Sequence, residues 1–303
     1  MSVIHAVRSD GERLVEASRR GLRPGIEAEC VEPMRTAKPT IEVPQLPVGW
    51  ATDLAVLEQM GSLIEHHGDH LVVRTPHNPT FHWGNCLLVT DPAAVDHAQR
   101  WVDVFQQALR SASWVAIGLV RMPGAVAAWS EQGLELGLDD VLTTRTVPRS
   151  TPLPEGYAVR RIAGDDWEQL VGRAMAENEL TDEHEPHAHE QFVRARTRSQ
   201  RALSEGGRAA FFGAFCDGAL VADLGIVRCG TTARYQNVGT SAGHRRRGLA
   251  AHLLGVAAGW AADRGCDEWA IVTEASNPAG RVYRRVGFEA GVPNAQAYRP
   301  PRR

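Results

Sequence analysis

The sequence predicts an α/β fold in which a mixed, mostly antiparallel twisted sheet is flanked by helices. Three observations carry this. Short apolar runs of strand length alternate with amphipathic helical stretches along both halves of the chain. Ala209 to Cys216 and Leu220 to Val227 are joined by Asp217 and Gly218, which have hairpin turn chemistry, and Thr231 to Thr240 extends the pair to a meander. A loop with three successive arginines, Arg245 to Arg247, then passes through Gly248 into a long helix with Leu249, Leu253, Val256, Ala257 and Trp260 along one side.

Taken in order, residues 1–50 have little periodicity and contain Pro24, Pro33, Pro39, Pro44 and Pro47. They read as an N-terminal arm with one short helix near Gly11 to Arg20. Leu54, Leu57, Leu63 and Ile64 predict a helix from Asp53 to His66, followed by strands at His70 to Arg74 and His82 to Thr90. Asp91 and Pro92 form a helix start, with a helix to Arg110 burying Val95, Ala98, Val102, Phe105 and Leu109. A strand at Trp114 to Val120, a helix at Gly124 to Gly133 and a strand at Val141 to Val147 complete a first unit, residues 51–147. Three prolines, a serine and a glycine mark 148–156 as a linker. The second unit, 157–303, opens with a strand at Tyr157 to Ile162 and helices at Asp165 to Ala176 and Gln191 to Ser204. After the meander and the long helix come a strand at Glu268 to Thr273, a helix at Asn277 to Arg285 and closing strands at Gly287 to Ala290 and Gln296 to Arg299.

A chain of 303 residues with 43% hydrophobic content has enough apolar material for one large or two moderate cores. A formal net charge of −3 argues against a protein that coats nucleic acid. Five cysteines, Cys30, Cys86, Cys216, Cys229 and Cys266, are scattered, odd in number and without zinc-site spacing, so they read as reduced thiols. No run approaches the roughly 18 apolar residues of a membrane span, and the first residues lack an apolar signal core. A cytoplasmic protein with no membrane, nucleic-acid or metal partner is the expectation.

The loop before the long helix has the layout of an anion site. Main-chain N–H groups at a helix start have no partner in the helix and point outward together, and the helix dipole adds partial positive charge. Gly248 lets phosphate oxygens approach the backbone. The expectation is a phosphate-bearing cofactor; three arginines without interleaved aromatics point only weakly to nucleic acid.

Two motifs carry a resemblance to a known family. The stretch HRRRGLA is similar to the acetyl-CoA loop of the GCN5-related N-acetyltransferase (GNAT) superfamily, met here by Arg245, Gly248 and Ala250. The stretch NPAGRVYRRVGF is similar to the family's second motif, met by Asn277, Tyr283, Gly287 and Phe288. The resemblance covers about Tyr157 to Arg299; Ala242 and Gly243 depart from it where the family often has proline and an acidic residue. It implies transfer of an acetyl group from acetyl-CoA to a primary amine of a small molecule or peptide. It further implies that the backbone of Arg245, Arg246, Arg247, Gly248, Leu249 and Ala250 holds the pyrophosphate. Val238, Gly239 and Thr240 would pair with the pantetheine arm and Asn277 would contact the cofactor. Tyr283 matches the general acid, a phenol protonated at neutral pH.

The general base stays open. The strand ARYQNVGT has no carboxylate, so Gln236 positioning a water, Glu274, Asp223 or no dedicated base all fit. Asp182, Glu183 and Glu185 lie in an acidic loop that either attracts a cationic acceptor or is simply solvated; His184, His187 and His189 there read as exposed loop residues. The order of elements from His70 to Val147 parallels that of the second unit, although TDPAAVDHAQ lacks the glycine and arginine of the cofactor loop. The first unit is thus expected to be a degenerate GNAT-like copy, making a tandem, and to serve as a lid, a partner for the catalytic half or a homodimer surface; an unrelated α/β domain is the alternative. In it, HNPTFHWGN either lines a pocket with His77, His82 and Trp83 or is a packed turn. A non-catalytic acyl-CoA-binding or sensor protein of the same fold is the alternative function, with aminoacyl or other acyl transfer as a third.

Overall fold

The structure, a computed structural model, describes residues 46–181 and 185–300. The expected N-terminal arm with its helix, and Asp182, Glu183 and His184, lie outside the described residues. The first elements are α1 (Val48–Gln59), β1 (Leu63–His66), β2 (His70–Arg74), β3 (Leu87–Val89), α2 (Ala98–Ala108), β4 (Val115–Leu119), α3 (Val126–Glu131) and β5 (Glu135–Thr144). There follow β6 (Ala158–Arg161), α4 (Asp166–Thr181), α5 (Pro186–Glu205), β7 (Ala209–Cys216), β8 (Ala219–Cys229), β9 (Thr232–Thr240) and α6 (Leu249–Ala262). The chain ends in β10 (Glu268–Glu274), α7 (Ala279–Arg285), β11 (Glu289–Ala290) and β12 (Asn294–Arg299).

The strands form one mixed sheet in the order β1-β2-β3-β4-β12-β5-β10-β9-β8-β7-β6, with β11 also on β5. Most neighbours are antiparallel; β3 with β4 and β9 with β10 are parallel. The ten residues of β5 serve two neighbours in succession. Glu135 to Asp139 pair with β12, while Asp139 to Thr144 pair with β10. The last strand, β12, is therefore enclosed between β4 and β5, and the ladder runs without a break across both halves of the sequence.

Strand alternation sorts the helices onto two faces. On β5, Leu136 packs with Trp101, Phe105 and Trp129 of α2 and α3, and Leu142 packs with Leu253 and Ala257 of α6. Asp140, on the same side, bonds Arg284 of α7 at 2.7 Å. The opposite side carries α1, α4 and α5, where Val56, Trp167 and Leu203 cover Phe211 and Val227. There Gly49 of α1 lies so close to β5 that a Cβ would come within 2.6 Å of a Val141 methyl.

Several expected elements differ in extent. The helix expected at Asp53 to His66 starts earlier, at Val48, and ends at Gln59. Gly61, at φ +95°, reverses the chain and Leu63 to His66 become an edge strand on β2. Helical spacing at Leu63 arises from an exposed edge residue, not from burial. Between His82 and Thr90, a 3₁₀ turn at His82–Gly84 replaces the first half of the expected strand. Asp91 caps a turn, accepting from Ala93 N at 2.9 Å, and the helix proper waits until Ala98, with Trp101 Nε1 donating to Ala94 O. The Asp217–Gly218 turn has φ of +49° and +81°, as its composition requires.

Candidate functional site

A gap between two parallel strands creates the main cleft. β9 and β10 pair only from Thr232–Arg234 to Glu268–Ala270. Beyond that, β9 bulges: Asp223 of β8 faces Gly239 while Gly225 faces Gln236, so two steps on β8 meet three on β9. Asn237 takes up the extra residue at φ +49°. The strands separate and a cleft of about 1030 Å³ opens, with Asn237 to Thr240 on one wall and Ile271 to Thr273 on the other.

The start of α6 closes one end of this cleft. Arg246 and Gly248 adopt φ of +62° and +82°, which turns the chain into the helix. Among the described residues, none accepts a hydrogen bond from the N–H groups of Arg246 to Ala251. They form a nest of outward donors at a helix N-terminus. Arg245 stabilises the loop through Nε to Thr240 O at 3.0 Å, and Arg245 and Arg246 line the cleft. Arg247 turns back to Gly243 O at 3.4 Å. The stretch after β5 forms the outer edge: Arg149 N bonds Val286 O at 3.0 Å, and Thr151 Oγ1 donates to Gly248 O at 3.0 Å. Gly255 is needed for this approach, since a Cβ there would lie 2.5 Å from Ser150 Cβ.

Tyr283 and Asn277 lie on the same cleft from the α7 side. Asn277 Oδ1 accepts from Ala279 N at 2.9 Å and starts α7, which leaves its amide N–H groups for a ligand. Tyr283 is 4% exposed, edge-on to Phe288, and burial pushes its phenol up to about 12. It is a proton donor at neutral pH. The structure thus brings together Val238, Gly239, Thr240, Arg245, Arg246, Gly248, Leu249, Ala250, Asn277 and Tyr283.

Gln236 and Glu274 lie elsewhere. Gln236 faces a separate cavity of about 260 Å³ on the α1 and α5 side, and Glu274 lines a third hollow beside Trp114. The Gln236 cavity meets the main cleft at two shared residues, Asn237 and Val272, where the strands part. Its walls combine apolar side chains, Trp50, Leu54, Phe81 and Trp83 among them, with charged and amide side chains. Trp83 of the HNPTFHWGN segment thus lines a pocket, and His82 lines the neighbouring hollow.

Sequence reasoning did not reach the four charged residues of this cavity, Asp53, Asp139, Arg196 and Arg234. Asp139 of β5 belongs to both it and the Glu274 hollow. Burial, then the nearby charges of Asp53 and Glu274, push its carboxyl up to about 6. Arg196 of α5 also lines it. Asp223, which lines a neighbouring hollow, is held by Arg173, and burial raises its pKa against the pull of that guanidinium. Glu185 caps α5, accepting from His187 N at 3.0 Å and Ala188 N at 2.7 Å, which holds its carboxylate low.

The comparisons with known proteins agree with this geometry. Residues 164–288 match the model of the Acetyltransferase (GNAT) family, so the chain carries a domain of that family, whose members are N-acyltransferases. Among solved structures, a GCN5-related N-acetyltransferase from Kribbella flavida is 17% identical, with 84% of this chain and 97% of that one covered, at a TM-score of 0.59. A GCN5-related N-acetyltransferase from Sphaerobacter thermophilus is 17% identical over 80% of this chain and 84% of that one, at 0.54. A tandem GNAT protein from the clavulanic acid biosynthesis pathway is 14% identical over 85% and 97%, at 0.50. These likenesses define a GNAT fold that spans both halves. No curated protein matches the chain.

Proposed function

We propose that the protein is an acetyl-CoA-dependent N-acetyltransferase that acts on a primary amine. The observation that carries this reading is the meeting, in one cleft, of the free N–H nest at Arg246 to Ala251 with the buried phenol of Tyr283. The nest fits a pyrophosphate: its donors lack partners and Gly248 has no Cβ to obstruct an oxygen. Acetyl-CoA supplies the acetyl group as a thioester. The backbone of Arg245 to Ala250 binds its phosphates, Val238 to Thr240 offer main-chain groups to the pantetheine arm, and Asn277 orients it. Tyr283 gives its proton to the departing sulfur. Gln236 and Glu274 remain candidate base residues, each lining a cavity other than the cleft that holds Tyr283. An acidic rim of Asp182, Glu183 and Glu185 drawing in the amine is part of the proposal; unchanged acceptor KM after charge reversal there would remove it. So are a first unit at 51–147 that walls the acceptor cavity, a linker at 148–156, a catalytic unit at 157–303 and a cytoplasmic location. Among the described residues, no helix is long and apolar enough to cross a membrane.

Calorimetry with acetyl-CoA, followed by a thiol-release screen over amines, tests the reading. Binding and release of CoA with some amine are expected. A second reading, a non-catalytic acyl-CoA sensor, has one supporting observation: Gln236 and Glu274 face cavities other than the cofactor cleft. Tight binding with no turnover on any amine would favour it.

A further inference from the structure

The acceptor cavity contains two charged groups that make no ion pair among the described residues. Four charged side chains line it: Asp53, Asp139, Arg196 and Arg234. Arg234 and Asp53 satisfy each other at 2.6 Å, with Asn294 adding a bond to Asp53 at 3.3 Å. Among the described residues, Asp139 receives only a long bond from Gln296 Nε2 at 3.4 Å. Arg196 has no hydrogen-bond or ion-pair partner among the described residues. Its guanidinium lies 4.8 Å over the Phe192 ring, and its Nε is buried without an acceptor. Asp223 attracts it from a distance, but that carboxylate is already held by Arg173. Burial lowers Arg196 to about 10, so it is a cation at neutral pH. One turn along α5, Gln200 is 2% exposed, lines the same cavity and has no donor for its Oε1.

Arg196 is half-buried, and a guanidinium whose buried Nε finds no acceptor is unfavourable for folding unless a ligand completes it. Gln236, Asn237, Asn294 and Gln296 add polar edges, the rest of the lining is apolar, and a volume of about 260 Å³ sets a small occupant. The charges also have opposite sign at separate places, one on a helix over the sheet and one within a strand.

We infer that the acceptor is a small zwitterion, an apolar or aromatic primary amine that also bears a carboxylate, with its carboxylate on Arg196, its ammonium towards Asp139 and its apolar body against Trp50, Leu54 and Trp83. This rests on the acetyltransferase reading. Asp139 takes one proton from the ammonium and passes it to solvent. The freed lone pair forms the C–N bond to the acetyl carbon as the C–S bond breaks. The second nitrogen proton replaces the one that Tyr283 gives to sulfur, so one proton ends on CoA and one in bulk water.

The test is calorimetry on the whole protein saturated with CoA, which needs no turnover. The probes are phenylalanine, leucine and tryptophan, each beside the amine that lacks its carboxylate. At least one of the three amino acids should bind about 30-fold or more tightly than its decarboxylated partner, the size expected when a buried charge loses its counterpart. Arg196→Met should bring that ratio close to unity while acetyl-CoA affinity stays at the wild-type value. If Arg196→Met fails to fold, Arg196→Lys replaces it and should reduce the ratio several-fold, because a point charge cannot make the planar two-pronged contact. The inference is overturned if the amines bind as well as the amino acids, if none of the three amino acids binds, or if the Arg196 variant keeps the full ratio. Loss of acetyl-CoA binding by the wild-type protein would instead overturn the acetyltransferase reading, and the same titrations report it separately.

Discussion

Asp139 of β5 stands directly opposite Glu274 of β10 in the antiparallel ladder, and opposite Asn294 of β12 on its other flank. Like charges facing each other across a ladder destabilise it. Burial comes first, and the charges of Asp53, Glu274 and Asp140 add to it against the pull of Arg234, so the carboxyl is pushed up to about 6. A group raised in the folded state contributes stability that is present below its unfolded value of about 3.9 and is lost as pH rises through the folded value. Asp139→Asn should therefore be more stable than wild type at pH 8, by about 1–2 kcal/mol after discounting for partial exposure, and melt at a higher temperature, with most of the difference gone near pH 4. The same variant should lose acetyl transfer, and wild-type kcat/KM should fall below about pH 6 as Asp139 is protonated. Melts at the two pH values and a pH–rate profile check this; a lower melting temperature for Asp139→Asn at pH 8 would count against the buried-charge account.

The contrast between Tyr283 and Asp139 marks what was legible in the sequence. Tyr283, Asn277 and the Gly248 loop lie within two short motifs that the family resemblance singled out, and the structure brings them to one cleft. The role of Asp139 depends on β5 pairing first with a strand that begins at Asn294, and no periodicity carries such a long-range register. Arg196 had a weaker signal. Val193, Thr197 and Gln200 are buried on α5, whereas Arg194 and Arg201 find Glu190 and Glu205 on the solvent side. Helical phase alone would have separated the inward arginine from the outward ones. Leu63 misled because an exposed edge residue fell on a helical spacing.

Tyr283→Phe removes only the phenolic oxygen from a buried ring. With the phenol at about 12, the native tyrosine keeps its proton through alkaline assay conditions, so no loss of activity below about pH 10 should trace to it. The variant should lower kcat by about 10²–10⁴ with acetyl-CoA affinity unchanged. Steady-state kinetics beside calorimetry separates the two effects, and full kcat would take Tyr283 out of the acid role.

Gly248 allows charge to be separated from shape. A Cβ there would meet only Thr151 Oγ1, at 3.4 Å, but the backbone sits at φ +82°. Gly248→Ala should therefore cost about 1–2 kcal/mol of stability through the left-handed backbone, with modest loss of affinity. Gly248→Glu adds a carboxylate where phosphates belong and should abolish acetyl-CoA binding. Undiminished affinity in the glutamate variant would place the cofactor elsewhere.

The shared sheet predicts how the chain responds to being cut. A fragment of residues 151–303 lacks β5, so β10 loses its antiparallel neighbour from Asp139 to Thr144 and β12 loses both strands that enclose it. Ile271 and Ala297, 2% and 0% exposed in the whole chain, would then sit beside unpaired strand edges, a recipe for association. That fragment alone should be aggregated or non-cooperative in thermal melts. Residues 46–150 and 151–303 expressed together should instead recover a one-to-one complex, because the ladder can re-form without the covalent link at Ser150. The linker edge would be interrupted there, so acetyl-CoA affinity should fall even in the complex: Thr151 Oγ1 holds Gly248 O and Arg149 N holds Val286 O from opposite sides of the cut. Sedimentation and calorimetry on the two-piece protein measure both effects. A monomeric 151–303 fragment melting cooperatively at the temperature of the whole protein would mean that β5 is dispensable to the second half.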